Sequence, residues 1–460
     1  MRVEVATSDI EPRPRTIERV WTAMCARPLV SVFVAAMVVR VGFAVVSFVF
    51  HSVYLIPDET GYMSMAESIS SGRGADAWYP GVGDRLFKAT WVFSAPLALF
   101  FDVLWPSRLI GQLWAGLFGV GTAVLTTQLA RQIISTGWAI GAGLMVALLP
   151  SQVLWSSVVL RESMVWFLLV VLALVVTALG RVSGWRTVAL LAIALGSVVA
   201  LGHLRQQTMV AASWALVAAA PLAFGRRRIA LSGALATVAL TGPAIIGLGI
   251  GGIDLVRAAA PTLNQTRTFL SVGASTAFTP TSVLQPGAAT TTSEPGSGEA
   301  QRTTGAEAIA RRATQTAVDS RGEVHSVVGS SDGSLYAFED GLGANLRHLP
   351  RGLIATTLRP FPWEASGGAR GLAAVESVGW YGLYALAAIG LAGAWRRRDV
   401  LAFPAVVSAM ILAIGAVTQG NLGTAFRHRG QIFWVVAVLA ALGAAQAVTR
   451  ARRPMPSRSG

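Results

Sequence analysis

Apolar runs of membrane-spanning length recur along the whole chain, and they limit the fold more than any other feature. About 20 consecutive apolar residues cross the hydrocarbon layer as a helix. In lipid every backbone N–H and C=O must be paired internally, so only helices and closed barrels span it. The runs here are continuous rather than alternating, which argues against a barrel. Of 460 residues, 53% are hydrophobic and only 13% charged; a soluble chain would carry roughly twice that charged share. The expected fold is therefore an all-α polytopic membrane protein.

The arginines thread it. Residues 1–28 hold Arg13, Arg15, Arg19 and Arg27 and read as a cytoplasmic tail, with no small-residue cleavage site after a short apolar core. A first span over 29–50 runs outward into a first outer loop, 51–107. Further spans are expected at 108–130, 138–157, 163–180, 187–202, 208–224 and 229–250. A second outer region covers 251–375, and last spans fall at 376–394, 400–418 and 431–448. The turns assigned inside carry Arg131, Arg181, Arg186, Arg226, Arg227, Arg228, Arg396, Arg397 and Arg398, and residues 449–460 form a basic tail. This gives about ten transmembrane helices with N- and C-termini cytoplasmic. The net charge of +14 is placed where topology signals sit, so a nucleic-acid partner is not expected. The single cysteine, Cys25, excludes an internal disulfide and a Cys-rich metal site.

The outer loops differ in character. In the first, 91–105 is apolar but short, with Pro96 and Asp102, and reads as an interfacial or re-entrant helix, a full span being the competing reading. In the second, 271–305 is rich in Ser, Thr, Gly and Pro, the composition of a flexible, partly disordered segment. Residues 345–364 mix Arg347, Arg351 and Arg359 with Leu, Phe and Trp, which suits a membrane surface.

Asp58 and Glu59 open the first loop, where a membrane enzyme would keep a general base near a lipid headgroup. Four further polar groups surface on the same side: Arg161-Glu162; His203, Arg205, Gln206 and Gln207; Arg347, His348, Arg351 and Arg359; and Gln419, Asn421, Arg427, His428, Arg429 and Gln431. Positive charge at the outer ends of spans runs against the topology rule and needs another reason. Carboxylates beside arginines and histidines suit an anionic headgroup held next to a base, since arginine donates to phosphate in pairs. Lys88 is a further candidate phosphate ligand. Each has a plainer reading: a helix cap for Asp58 and Glu59, a local ion pair for Arg161-Glu162, snorkelling for Arg205, a membrane anchor for Arg359 or Lys88. Asp58, Glu59, Glu67, Asp76 and Asp84 offer oxygens for a divalent cation such as Mg or Mn, without a diagnostic spacing.

The run Pro57-Asp58-Glu59-Thr60-Gly61-Tyr62 into Met65-Ala66-Glu67-Ser68-Ile69 resembles the acidic motif that opens the first outer loop of the GT-C superfamily of integral membrane glycosyltransferases, of the protein-mannosyltransferase and aminoarabinose-transferase kind. Leu149-Pro150-Ser151-Gln152 through Arg161-Glu162-Ser163, Leu204-Arg205-Gln206, and Gly420 to Arg429 also look similar. The likeness frames 29–250 as a catalytic module and 345–448 more loosely. It implies a sugar carried on a polyprenyl phosphate and transferred to an acceptor hydroxyl on the outer face of the cytoplasmic membrane. The acceptor would be an envelope glycan, a lipid or a protein. Asp58 would be the general base, with Glu59 positioning it or a metal. Lys88, Arg161, Arg205, Arg359, Arg427 and Arg429 would hold the donor phosphate or lipid, and Tyr62, Glu162 and His428 the sugar or acceptor. The chain departs from many relatives in its short C-terminal tail and in Phe93-Ser94-Ala95-Pro96, where they carry a His or paired Pro. A polysaccharide polymerase or ligase is the main alternative, and it would not need Asp58. A lipid-linked sugar transporter is the other, and its charges would sit mid-membrane with repeated halves.

Overall fold

The computed structural model describes residues 16–50, 58–73, 83–224, 228–259, 346, 349–364, 368–418 and 422–452. The flexible stretch expected at 271–305 lies outside them. Among the described residues the chain is helical throughout, with no strand.

The helices are α1 (Thr16–Ala26), α2 (Pro28–Val49), α3 (Asp58–Ser70), α4 (Gly83–Val103), α5 (Arg108–Ala130), α6 (Thr136–Leu148), α7 (Pro150–Ser157) and α8 (Glu162–Leu179). They continue as α9 (Trp185–Leu204), α10 (Gln206–Phe224), α11 (Ile229–Ile245), α12 (Ile253–Ala259), α13 (Leu349–Leu358), α14 (Gly368–Ala394), α15 (Arg398–Thr418) and α16 (Leu422–Ala451). Among the described residues, eight helices are long and apolar enough to cross a membrane, and ten spans result if each of two bent pairs crosses once. The protein is thus a multi-pass membrane protein. The apolar part of α4, Trp91–Val103, is too short to qualify, as its length in sequence suggests.

The long spans are apolar on all sides, which is how a membrane solvent differs from water. On α2 the stripe Pro28, Val32, Ala36, Arg40, Ala44 and Ser47 is buried, at spacings of three and four. Val30, Phe33, Val34 and Val38 lie exposed on the same helix, as a lipid-facing flank would. With no hydrophobic drive between helices in lipid, close backbone approach does the work. Gly390 of α14 and Gly443 of α16 meet in this way: a Cβ on Gly390 would land on the Leu439 carbonyl, and one on Gly443 on the Leu386 carbonyl.

Two expected spans are broken. The segment at 138–157 bends by 57° between α6 and α7, and that at 229–250 by 79° before a short 3-10 turn, Ile250–Gly252, and α12. Pro150 has no N–H for the Val146 carbonyl, so the ladder must open there. At the second break Gly247, Gly249 and Gly251 hold positive φ of 76°, 75° and 63°, open to glycine at little cost.

Candidate functional site

The candidate site forms where α2, α7 and α9 end and α5, α8 and α10 begin. The antiparallel threading brings these ends to one side of the bundle. Its centre is a buried ion pair. Arg205 fills the single-residue break between α9 and α10, and Glu162 is the first residue of α8. Arg205 Nη2 donates to Glu162 Oε1 at 2.8 Å, with both side chains more than nine-tenths buried. Arg161 and Arg427 lie within electrostatic reach of both, and Tyr62 within reach of Arg205. His428, also buried, adjoins Arg205 and Arg427. The Arg427 guanidinium stands over the Trp155 ring, 4.6 Å from its centroid, a cation–π seat that holds a charge without neutralising it.

Three arginines therefore face one glutamate. Burial lowers the pKa of the Arg205 guanidinium; Glu162 opposes this, and Arg161 and Arg427 add to it. Arg205 Nε and Nη1 and Glu162 Oε2 are buried with no hydrogen-bond partner among the described residues. Gln152 Nε2, Ser157 Oγ and Ser163 Oγ, on α7 and α8, share that condition. Glu162 also sits in the first turn of α8, where the helix dipole favours negative charge. Guanidinium donors in such a setting can hold an anion.

α3 is fastened beside this centre. Glu59 is fully buried, and its Oε2 accepts from Arg108 Nε and from the Val159 amide, each at 3.4 Å. Arg108 also donates to Ser47 Oγ at 3.3 Å, which ties α3, α5, α2 and the turn before α8 together. One turn on, Tyr62 packs edge-on against Phe93 of α4. Asp58 opens α3 next to Glu59, but its side chain, like that of Lys88, lies outside the described residues.

The α6–α7 break sets how Trp155, Val159, Arg161 and Glu162 arrive. Arg40, buried in the middle of α2, donates to the Val146 carbonyl at 3.4 Å and the Ala147 carbonyl at 3.2 Å, and its Nε to Ser156 Oγ at 2.8 Å. Those two carbonyls are the ones Pro150 and the bend release. On the other side of the break, the Ser151 amide and hydroxyl donate to Glu376 of α14, the amide at 2.8 Å. Such side-chain partners are what broken helices in lipid require.

A second cluster forms where α13 meets α14 and α16. Arg359 donates through Nε to both carboxylate oxygens of Glu364, at 2.8 and 3.0 Å. Arg429 donates to the Thr357 and Arg359 carbonyls at 3.1 and 3.3 Å, closing the C-terminal end of α13, and lies 4.5 Å over the Trp380 ring. Two residues along α16 is about 200° around the helix, so Arg427 and Arg429 serve different clusters although only His428 separates them.

Of the residues expected at the site, the structure gathers Tyr62, Arg161, Glu162, Arg205, Arg427 and His428, sets Glu59 beside them, and groups Arg359 with Arg429 elsewhere. Of the oxygens expected for a cation, those of Glu59 and Glu67 fall among the described side chains, where no three His, Cys, Asp or Glu side chains come together; Asp76 and the side chains of Asp58 and Asp84 lie outside the described residues. Arg40, Arg108, Trp155 and Glu376 were not singled out by sequence reasoning. Arg40 carried the one usable signal, a cation in the middle of an apolar span. No family model matches the chain, and neither a curated protein nor a solved structure matches it.

Proposed function

We propose that this protein is a GT-C-type membrane glycosyltransferase that moves a sugar from a polyprenyl-phosphate donor to an acceptor hydroxyl on the outer face of the cytoplasmic membrane. The observation that carries the reading is the cluster of Arg161, Arg205 and Arg427 around Glu162 at one end of the bundle, with Arg205 and Glu162 buried and Arg161 and Arg427 half-buried. A lipid phosphate arriving from the bilayer needs positive charge at the end of the spans, and this cluster supplies it.

Chemically, a polyprenyl phosphate leaves readily once its developing charge is neutralised, and donors already in place in a site of low dielectric act most strongly on that charge. Arg205 and Arg427, with Arg161 and Lys88, take that part. The attacking hydroxyl needs a base. Asp58 takes its proton, and one in-line displacement inverts the anomeric carbon. Glu59, fixed by Arg108 and Val159, orients the turn that presents Asp58. Tyr62, Glu162 and His428 line the sugar and acceptor side. Arg359 and Arg429 hold α13 in place rather than touch phosphate.

The test is transfer by purified protein in lipid, with radiolabelled polyprenyl-phosphate sugars and an envelope fraction as acceptor, comparing wild type with Asp58→Asn. Loss of the base is expected to lower the rate by about 10²–10⁴-fold in folded protein. Full activity in Asp58→Asn would move the assignment to a polymerase or ligase. Uptake of lipid-linked sugar without any transfer would move it to a transporter.

A further inference from the structure

The end of the bundle away from Glu162 holds a cavity of about 170 Å³, where α8 and α10 end and α15 begins. That is roughly ten times what a single water needs, so it admits a group of several heavy atoms. Its deep side is apolar: Val176 is buried, and Ala223 and Phe224 are half-buried. Its outer side is lined by Arg181, Arg228 and Asp399, all exposed.

The cavity offers both signs of charge at once. Arg228 donates one N–H to the Gly180 carbonyl, which closes the end of α8. A guanidinium carries several N–H groups, so donors remain for an oxyanion beside those of Arg181. Asp399 stands in the first turn of α15, where the helix dipole favours negative charge. Its pair with Arg397 is loose, at 3.9 Å between two side chains about half exposed. The carbonyl ends of α8 and α10 add partial negative charge at the same place. A purely anionic ligand would be repelled by Asp399, and a purely cationic one by Arg181 and Arg228. A ligand with a phosphate and an ammonium a few bonds apart suits all three.

We infer that this cavity binds a phosphoethanolamine-type group, with the phosphate on Arg181 and Arg228 and the ammonium on Asp399. At the end of membrane spans such a group arrives as a lipid headgroup or as a soluble phosphodiester. The inference does not depend on the glycosyltransferase reading, because the cavity and the arginine cluster occupy opposite ends of α8.

The experiment measures equilibrium binding of a radiolabelled short-chain phosphatidylethanolamine to the intact, delipidated chain in detergent. Wild type is expected to bind it saturably and to prefer it about tenfold over phosphatidylglycerol. Arg181→Gln and Arg228→Gln are each expected to bind about tenfold more weakly, the loss of a charge-assisted contact. Asp399→Asn is expected to lose the preference over phosphatidylglycerol. Ala223→Leu keeps every charge but fills the cavity; it should bind little, and it supplies the reading if the charge variants do not fold. Glycerophosphoethanolamine, the headgroup without chains, separates the sources. Displacement as strong as by the lipid upholds the site with a soluble ligand, and much weaker displacement upholds it with a lipid. No saturable binding by wild type, or wild-type affinity in the folded arginine or Ala223→Leu variants, overturns the inference. An unchanged preference in Asp399→Asn overturns it too.

Discussion

At the scale of single residues, the site has a buried charge pair, Arg205 and Glu162, flanked by the half-buried Arg161 and Arg427. The Arg205–Glu162 pair is buried on both sides, so removing Arg205 takes away the hydrogen-bonded partner of Glu162 and leaves it only the fields of Arg161 and Arg427. Arg205→Ala is expected to lower stability by about 3–5 kcal/mol, read as thermal unfolding in detergent, whereas Arg205→Lys keeps the charge and most of the stability. Binding of a polyprenyl phosphate should fall in both, since a lysine has no paired edge. Equal binding in wild type and Arg205→Lys would show that the fork geometry is irrelevant. Arg161, Glu162, Arg205, Arg427 and His428 were legible in sequence because outer-end charges break the topology rule. Arg108 and Glu376 were not. Each reads alone as an ordinary charge at the edge of a span. Their partners, Glu59 and Ser151, are 49 and 225 residues away, beyond the reach of any local pattern.

At the scale of elements, the α6–α7 break is the part that aims the site. Arg40 satisfies what the bend exposes on one side and Glu376 what it exposes on the other. Arg40→Leu is expected to cost about 3 kcal/mol, the sum of two bare carbonyls and a lost partner for Ser156, and to weaken phosphate binding although Arg40 is remote from the arginine cluster. A variant that loses stability but binds phosphate with wild-type affinity would separate the bend from the site. Gly390→Leu should instead unseat α14 from α16 and lower the yield of folded protein in fluorescence-detected size exclusion; an unchanged profile would mean that the close approach is dispensable. The sequence delineated the helices well but drew 138–157 and 229–250 as single straight spans. Apolar length cannot report an angle, and a proline in a membrane helix is compatible with either a kink or a break.

At the scale of the whole molecule, the all-helical multi-pass architecture followed from apolar run length alone, since lipid leaves few options. Which face carries the site rests on the arginine-rich turns, Arg131, Arg181, Arg186 and Arg396 to Arg398, at the end away from Glu162. Cys25 is the only cysteine, so a Cys25→Ser background makes accessibility simple to read. A membrane-impermeant maleimide should label Arg73→Cys in intact cells and Ser183→Cys only after permeabilisation. The reverse pattern would put the site in the cytoplasm and exclude an outer-face transferase. The central claim, that a lipid phosphate is held where α8, α10 and α16 converge, is tested most directly by photocrosslinking. A polyprenyl phosphate with a diazirine next to the phosphate would be irradiated with the wild-type protein in lipid, and the labelled peptides sequenced. Label within 155–162 and around Arg205 and Arg427, competed away by unmodified polyprenyl phosphate, is the result this account predicts. Label confined to lipid-facing positions such as Val30, Val34 and Val38, and insensitive to competitor, would contradict it.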